Sequence, residues 1–323
     1  MNQTAEPSLK KRPFNLAVVS EFAPVAGFVL IALFFFILTD GKIFGAVNLK
    51  SLTNQVLITA LVGVGAVFVF GAGAFDMSLS GSLCLTAIIG AKVAQATGSV
   101  TAMLLACLAV SLALGLLKGL LAAYLDVPFF IVTIVIGALL GALGLLVMGK
   151  ETVLTISNLP TISDMTLINV LTLGGFYLLG LVLFNYTKIG KSCKLIGGNA
   201  VSARQSGIQI EKNKLIAFLV AAVGVSLAAI ILLLRTKTAS PTTGGTLGID
   251  ILVALVLGGM PLSGGPRSKI SAAVVGAATI TVLNSGLIIL GVGPGTIQIF
   301  RGVIFLAVVL VASLNYRTQL LPR

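Results

Sequence analysis

The chain has 323 residues, 57% of them hydrophobic and 9% charged, with a formal net charge of +12. Soluble domains carry about 25% charged residues, so the composition excludes one; the short alternating segments of a transmembrane β-barrel are absent too. This is an all-α polytopic membrane protein, in which lysine and arginine gather on the cytoplasmic side of the lipid bilayer, and no nucleic-acid partner is implied.

Lys10-Lys11-Arg12 precedes the first apolar run, residues 22–39. That run is too long for the apolar region of a signal peptide and has no A-x-A-like cleavage site, so it is read as a span behind a cytoplasmic tail, residues 1–21. Further runs follow near 53–74, 77–96, 99–124, 127–148, 167–186, 213–235, 249–262, 270–290 and 297–314. A helix needs about 20 apolar residues to cross, so these make about ten spans in one domain, 22–316, with a second cytoplasmic tail at 317–323. The run 249–262 is short enough to be re-entrant; counting it as a crossing returns the C-terminus to the inside.

The basic residues agree with that count. Fourteen fall inside: Lys10, Lys11, Arg12, Lys118, the six of 188–214, Arg267, Lys269, Arg317 and Arg323. Seven fall outside: Lys42, Lys50, Lys92, Lys150, Arg235, Lys237 and Arg301. Tyr124, Tyr186 and Tyr316 stand at proposed cytoplasmic ends, where interfacial aromatics belong.

Catalytic constellations are missing. There is no histidine, no C-x-x-C among Cys84, Cys107 and Cys193, and no G-x-S-x-G. The chain is therefore read as a non-enzyme that binds no metal or cofactor itself. Glycines recur with other small residues, as in Gly137–Gly141–Gly144 and Gly73–Ala74, a pattern for close helix packing or for lining a pore. "MSLSG" (77–81) and "MPLSG" (260–264) form a weak internal echo of the kind transporter repeats leave.

Gly190-Lys191-Ser192 ends like a phosphate-binding loop, but Asn185 stands where the first glycine is needed and an apolar run replaces the strand. The loop containing it, 187–212, is the longest cytoplasmic one. Asn199 can N-cap a short helix over 200–206 and Gly207 can end it in a left-handed turn. Such a helix would expose Ala200, Val201, Ala203 and Arg204. The loop either sets topology by its charge or docks a small-residue face into a cytoplasmic partner.

"IGGNAVSARQSGIQIEKNKLIAF" (196–218), "ASPTTGGTLGIDILVALVLGG" (239–259) and "LSGGPRSKISAAVVGAATITVLNSGLIILGV" (262–292) resemble, in order and spacing, the permease subunits of bacterial ATP-driven monosaccharide importers of the ribose/galactose/xylose type. "VPFFIVT" (127–133) and the stretch around Asp76-Met77-Ser78 are similar to the N-terminal half of that binding-protein-dependent inner-membrane family. The resemblance implies a multi-pass bacterial inner-membrane subunit that pairs with a second permease chain, two ATP-binding subunits and an extracytoplasmic sugar-binding protein. It further implies that Gly198, Asn199, Ala203, Arg204, Ser206 and Gly207 couple this chain to the ATPase, and that ATP and Mg are bound by that partner. Lys118 stands where the family has Asn, and Gly248 where it has Glu.

Two buried polar residues are candidates for a pathway or gate. Asp76 either caps the helix that follows it or serves the path; Asn284 either makes an interhelical hydrogen bond or touches the solute. A permease for nucleosides or branched-chain amino acids is the alternative, although a zwitterion calls for paired charges that the sequence does not display. An ion-coupled secondary transporter would need a titratable relay, and the spans are read as offering little beyond Asp76 and Lys118.

Overall fold

Helices that are apolar all round bury themselves on every side, while those apolar toward lipid stay at the rim. The computed structural model, which describes residues 16–125, 129–157 and 164–320, sorts the spans in this way. α2 (Ala46–Gly71), α3 (Leu79–Thr97), α9 (Ile210–Thr236) and α11 (Ser271–Ile289) are 56–78% buried over their apolar windows. α4 (Val100–Tyr124), α5 (Phe129–Met148) and α6 (Thr166–Tyr186) are only 17–22% buried and form the rim. α1 (Leu16–Leu38) lies on α11, and α12 (Pro294–Leu320) lies against α10 (Leu247–Leu257) and α11. A helix falls within each expected span, and among the described residues seven are long and apolar enough to cross a membrane. Lys10-Lys11-Arg12, residues 127–128 and Arg323 lie outside the described residues, and α12 continues through the expected start of the C-terminal tail.

Small residues make the central crossings possible. A methyl added at Gly65 on α2 would come 2.8 Å from the Ala221 Cα on α9, and one at Gly224 would come 2.6 Å from the Leu61 carbonyl oxygen. Side chains there would hold the backbones apart, where lipid gives no hydrophobic drive to compensate. Of the stripe on α5, Gly137 and Gly144 pack on α3 at Ser78 and Ile88, whereas Gly141 faces open space.

The connections sort into two ends. Gly73 lies against Gly197 and Ser263, so the loops after α2, α6 and α10 meet at one end. At the other, β1 (Leu154–Thr155) pairs antiparallel with β2 (Thr238–Ala239), and Lys92 pairs with Glu151.

The run 249–262 is not one continuous helix. α10 has 11 residues, which at 1.5 Å each spans about 16 Å, half a hydrocarbon core. Ahead of it, residues 240–246 fold as turns alongside α3: the Cys84 Sγ lies 3.7 and 3.5 Å from the carbonyl oxygens of Ser240 and Pro241, and Gly244 meets Ser80. Irregular backbone of this kind survives within a membrane only where protein covers it or water reaches it; α3 covers one side, and Pro241, Thr242 and Gly245 are exposed. Both stretches of the sequence echo join two helices: "MSLSG" leads from α2 into α3, and "MPLSG" from α10 toward α11.

Candidate functional site

The loop after α6 contains two helices, α7 (Lys188–Gly198) and α8 (Ala200–Gln205). α7 was not expected. Its buried residues Gly190, Cys193 and Ile196 recur every three positions, forming one apolar stripe on an otherwise polar helix. Thr187 caps its start by accepting from the Ile189 N–H. Gly190 has a packing reason rather than a phosphate-binding one: a methyl there would come 2.1 Å from the Phe184 carbonyl oxygen at the end of α6. Lys194 lies 4.6 Å from the Phe184 ring centroid and donates to Asn185 Oδ1 at 2.8 Å, and burial lowers its pKa. Burial also pushes the Cys193 thiol up to about 12.

α8 begins and ends as the sequence indicates. Asn199 Oδ1 accepts from the Ser202 N–H at 3.0 Å, and Gly207 takes φ +79°. The Ser206 hydroxyl donates to the Ser202 carbonyl at 2.9 Å. Gly198, Asn199, Arg204, Ser206 and Gly207 are all exposed. Ala203 is not: it is 4% exposed, packed in the core beside α7 and α9. The outward face is Ala200, Val201, Arg204 and Gln205, because position 203 is turned about 100° per residue from its neighbours onto the protein. Arg204 pairs with Glu211 on α9, which also borders a crevice of about 450 Å³ lined by Leu120, Tyr124 and Leu215.

Backbone contacts tie this loop to the rest of that end. A methyl on Gly197 would come 2.1 Å from the Gly71 carbonyl oxygen and 2.6 Å from the Gly265 nitrogen. The same Gly71 carbonyl accepts from the Gly265 N–H at 3.0 Å. The ends of α7 and α2 and the loop before α11 thus touch main chain to main chain.

Asp76 and Asn284 belong to separate clusters. Asp76 Oδ1 accepts from the Ser78 N–H at 2.9 Å and the Ser78 hydroxyl at 2.5 Å, closing a turn ahead of α3. It bonds no N–H within α3 itself, so the expected cap is displaced by one residue. Its second oxygen accepts from Lys118 Nζ at 2.7 Å, and Lys118 also donates to Ser82. Both charged groups are buried, at 1% and 5% side-chain exposure. Lys118 is therefore a core residue of α4, not a loop cation that sets topology.

Asn284 makes the interhelical bond: Arg301 Nε on α12 donates to its Oδ1 at 2.8 Å. Arg301 Nη1 donates to Thr246 Oγ1 at 2.7 Å and lies 2.9 Å from Asp250 Oδ1. Thr246 in turn donates to Asp250 Oδ2 at 2.9 Å. Arg301 is seven residues from Pro294, about 10 Å along α12, so this cation is inside a span rather than exterior. The sequence reading missed the Asp250–Arg301 pair. Both residues sit in apolar runs, and only the fold brings two positions so distant in sequence together.

Residues 48–309 match the family described as branched-chain amino acid transport system / permease component. The ribose import permease protein RbsC of Bacillus subtilis (strain 168) is 30% identical over 317 residues, covering 93% of this chain and 95% of that protein. RbsC of Escherichia coli (strain K12) is 29% identical over 280 residues, covering 82% and 85%. The xylose transport system permease protein XylH of the same strain is 27% identical over 378 residues, covering 95% and 94%. A solved metal-chelate type ABC transporter in an inward-facing conformation superposes with a TM-score of 0.55 at 14% identity, covering 91% of this chain and 98% of that one, a likeness of fold. With a family match over most of its length and a 30% identical relative along nearly all of it, the chain belongs to this family of transport-system permease components.

Proposed function

We propose that the chain is the membrane permease of an ATP-driven importer for a monosaccharide of the ribose or xylose kind, seated in a bacterial inner membrane. The observation that carries this reading is the nearly full-length similarity to ribose and xylose permeases. The chain supplies the path and binds no cofactor. ATP and Mg sit on a separate ATP-binding subunit, which the exposed face of α8 contacts. The complex further includes a second permease chain, whether a copy or a relative, and an extracytoplasmic binding protein that delivers the sugar. The test is reconstitution in vesicles with an ATP-binding subunit and a sugar-binding protein that co-purify with the chain. ATP-dependent uptake of radiolabelled ribose or xylose is expected. Uptake of leucine in place of either sugar would favour the amino-acid reading.

Orientation is part of the proposal: the end carrying α7 and α8 faces the cytoplasm. Cysteines placed at the exposed positions Ser202 and Ser263 are expected to resist impermeant thiol reagents in spheroplasts, and one at Lys150 to react. The native cysteines are all buried and give little background. Impermeant labelling at Ser202 would reverse the assignment.

A further inference from the structure

The Arg301 cluster lies on a face that is otherwise apolar and open. Ile249, Ile299, Phe300, Val303 and Leu306 around it are 45–67% exposed. Such a face meets lipid, a protein neighbour or water. Asp250 and Arg301 keep 13% and 15% side-chain exposure. A charge opening onto hydrocarbon costs about 2.5–3.5 kcal/mol at the bilayer centre even on the mildest scales, whereas opening onto water carries no such penalty.

An inventory of donors and acceptors says what could be bound. Arg301 spends Nε on Asn284 and Nη1 on Thr246 and Asp250. A guanidinium has five N–H groups and an amide two. Nη2 of Arg301 and Nδ2 of Asn284, a residue only 9% exposed, therefore keep N–H donors with no partner among the described residues. Asp250 Oδ2 accepts from the Thr246 hydroxyl, while Oδ1 lies 2.9 Å from Arg301 Nη1 as an ion pair without an aligned hydrogen bond. What remains is a site without net charge, in which the guanidinium neutralises the one carboxylate and the open groups of Arg301 and Asn284 are donors. Its complement is a neutral ligand rich in oxygen acceptors. An ammonium group would meet a carboxylate already neutralised by Arg301.

We propose that Arg301 and Asn284 form a solute-contacting site on the transport path, near the end that carries β1 and β2, and that it binds the hydroxyl and ring oxygens of a neutral polyhydroxy solute. Asp250 and Thr246 are positioning residues that hold the guanidinium. The inference rests on the importer reading for its solute class.

The experiment uses the full complex in vesicles and reads water access directly. Ile249, beside Asp250 and 50% exposed, is replaced by cysteine in a cysteine-free background. A charged, membrane-impermeant thiol reagent is expected to label Ile249→Cys, and ribose or xylose, but not leucine, to slow that labelling. Asn284→Ala removes donors without breaking the ion pair; Arg301→Lys keeps the charge but loses the planar fork. Each should raise the half-protecting sugar concentration about tenfold or more, the loss of one charge-assisted or buried hydrogen bond, with the complex still eluting intact. If Ile249→Cys reacts only with apolar reagents, the face is lipid-covered and the inference is overturned. Unchanged protection in both variants overturns it as well, as does protection by leucine. Sugar import without protection sinks this site alone; protection without ATP-dependent import sinks the importer reading alone.

Discussion

Replacing Lys118 with leucine is expected to remove most of the folded protein from the membrane. The change leaves the Asp76 carboxylate, 1% exposed, with only the two Ser78 contacts. Breaking a buried pair by deleting one partner costs about 3–5 kcal/mol, much of a total stability of about 5–15 kcal/mol. Asp76→Asn retains an oxygen for the turn ahead of α3 but strands the ammonium, so it should fail nearly as badly. The double variant Asp76→Leu/Lys118→Leu leaves no charge uncompensated, and replacement of buried pairs by apolar side chains is often neutral. It should recover most of the membrane level and the thermal midpoint in detergent. Normal level and midpoint for Asp76→Asn would show that the pair contributes little to the fold, and would return Asp76 to the list of pathway candidates.

The second large effect is expected on α8. Val201 is 68% exposed, an apolar side chain on a loop where nothing among the described residues covers it. Val201→Asp leaves the capping bonds of Asn199 and Ser206 intact, and a surface change of this kind alters stability by about 0.5 kcal/mol or less. If the face docks on the ATPase, the carboxylate is buried without a partner at a cost of at least about 1–3 kcal/mol, which is tenfold or more in binding. The expected result is a permease at normal level whose sugar-dependent ATP turnover falls at least about tenfold, or which no longer retains the ATPase through purification. Ala203→Trp would be a poorer probe, since Ala203 is buried and tryptophan would disrupt the loop itself. Wild-type turnover for Val201→Asp together with Arg204→Glu would leave the loop with no more than a topological role.

The spans were legible because hydropathy is a local property: a run of apolar residues must become a helix to satisfy its own backbone in lipid. Caps were legible for the same reason, and Asn199 and Gly207 do what their side chains dictate. The α7 helix was obscured by three glycines among its charges, although Ile189, Cys193 and Ile196 fall on one face at spacings of four and three. The inward turn of Ala203 depends on which side of a six-residue helix meets α9, and its sequence carries no periodicity long enough to tell. Both buried ion pairs were invisible as pairs. Asp76 and Lys118 were noted singly, Asp250 and Arg301 were absorbed into apolar runs, and long-range pairing leaves no trace in the order of residues.

The main-chain junction of Gly71, Gly197 and Gly265 bears on how a push delivered to α8 could travel. Where elements meet through side chains, a small displacement is absorbed as rotamers shift and contacts slide. Peptide groups have no such slack, being planar and fixed in length. A displacement of α7 toward the junction presses on the end of α2 and on the segment leading into α11, which the Gly265–Gly71 hydrogen bond ties together. The joint therefore has low compliance, closer to a gear tooth than to a spring. A single methyl at position 197 would pry it apart.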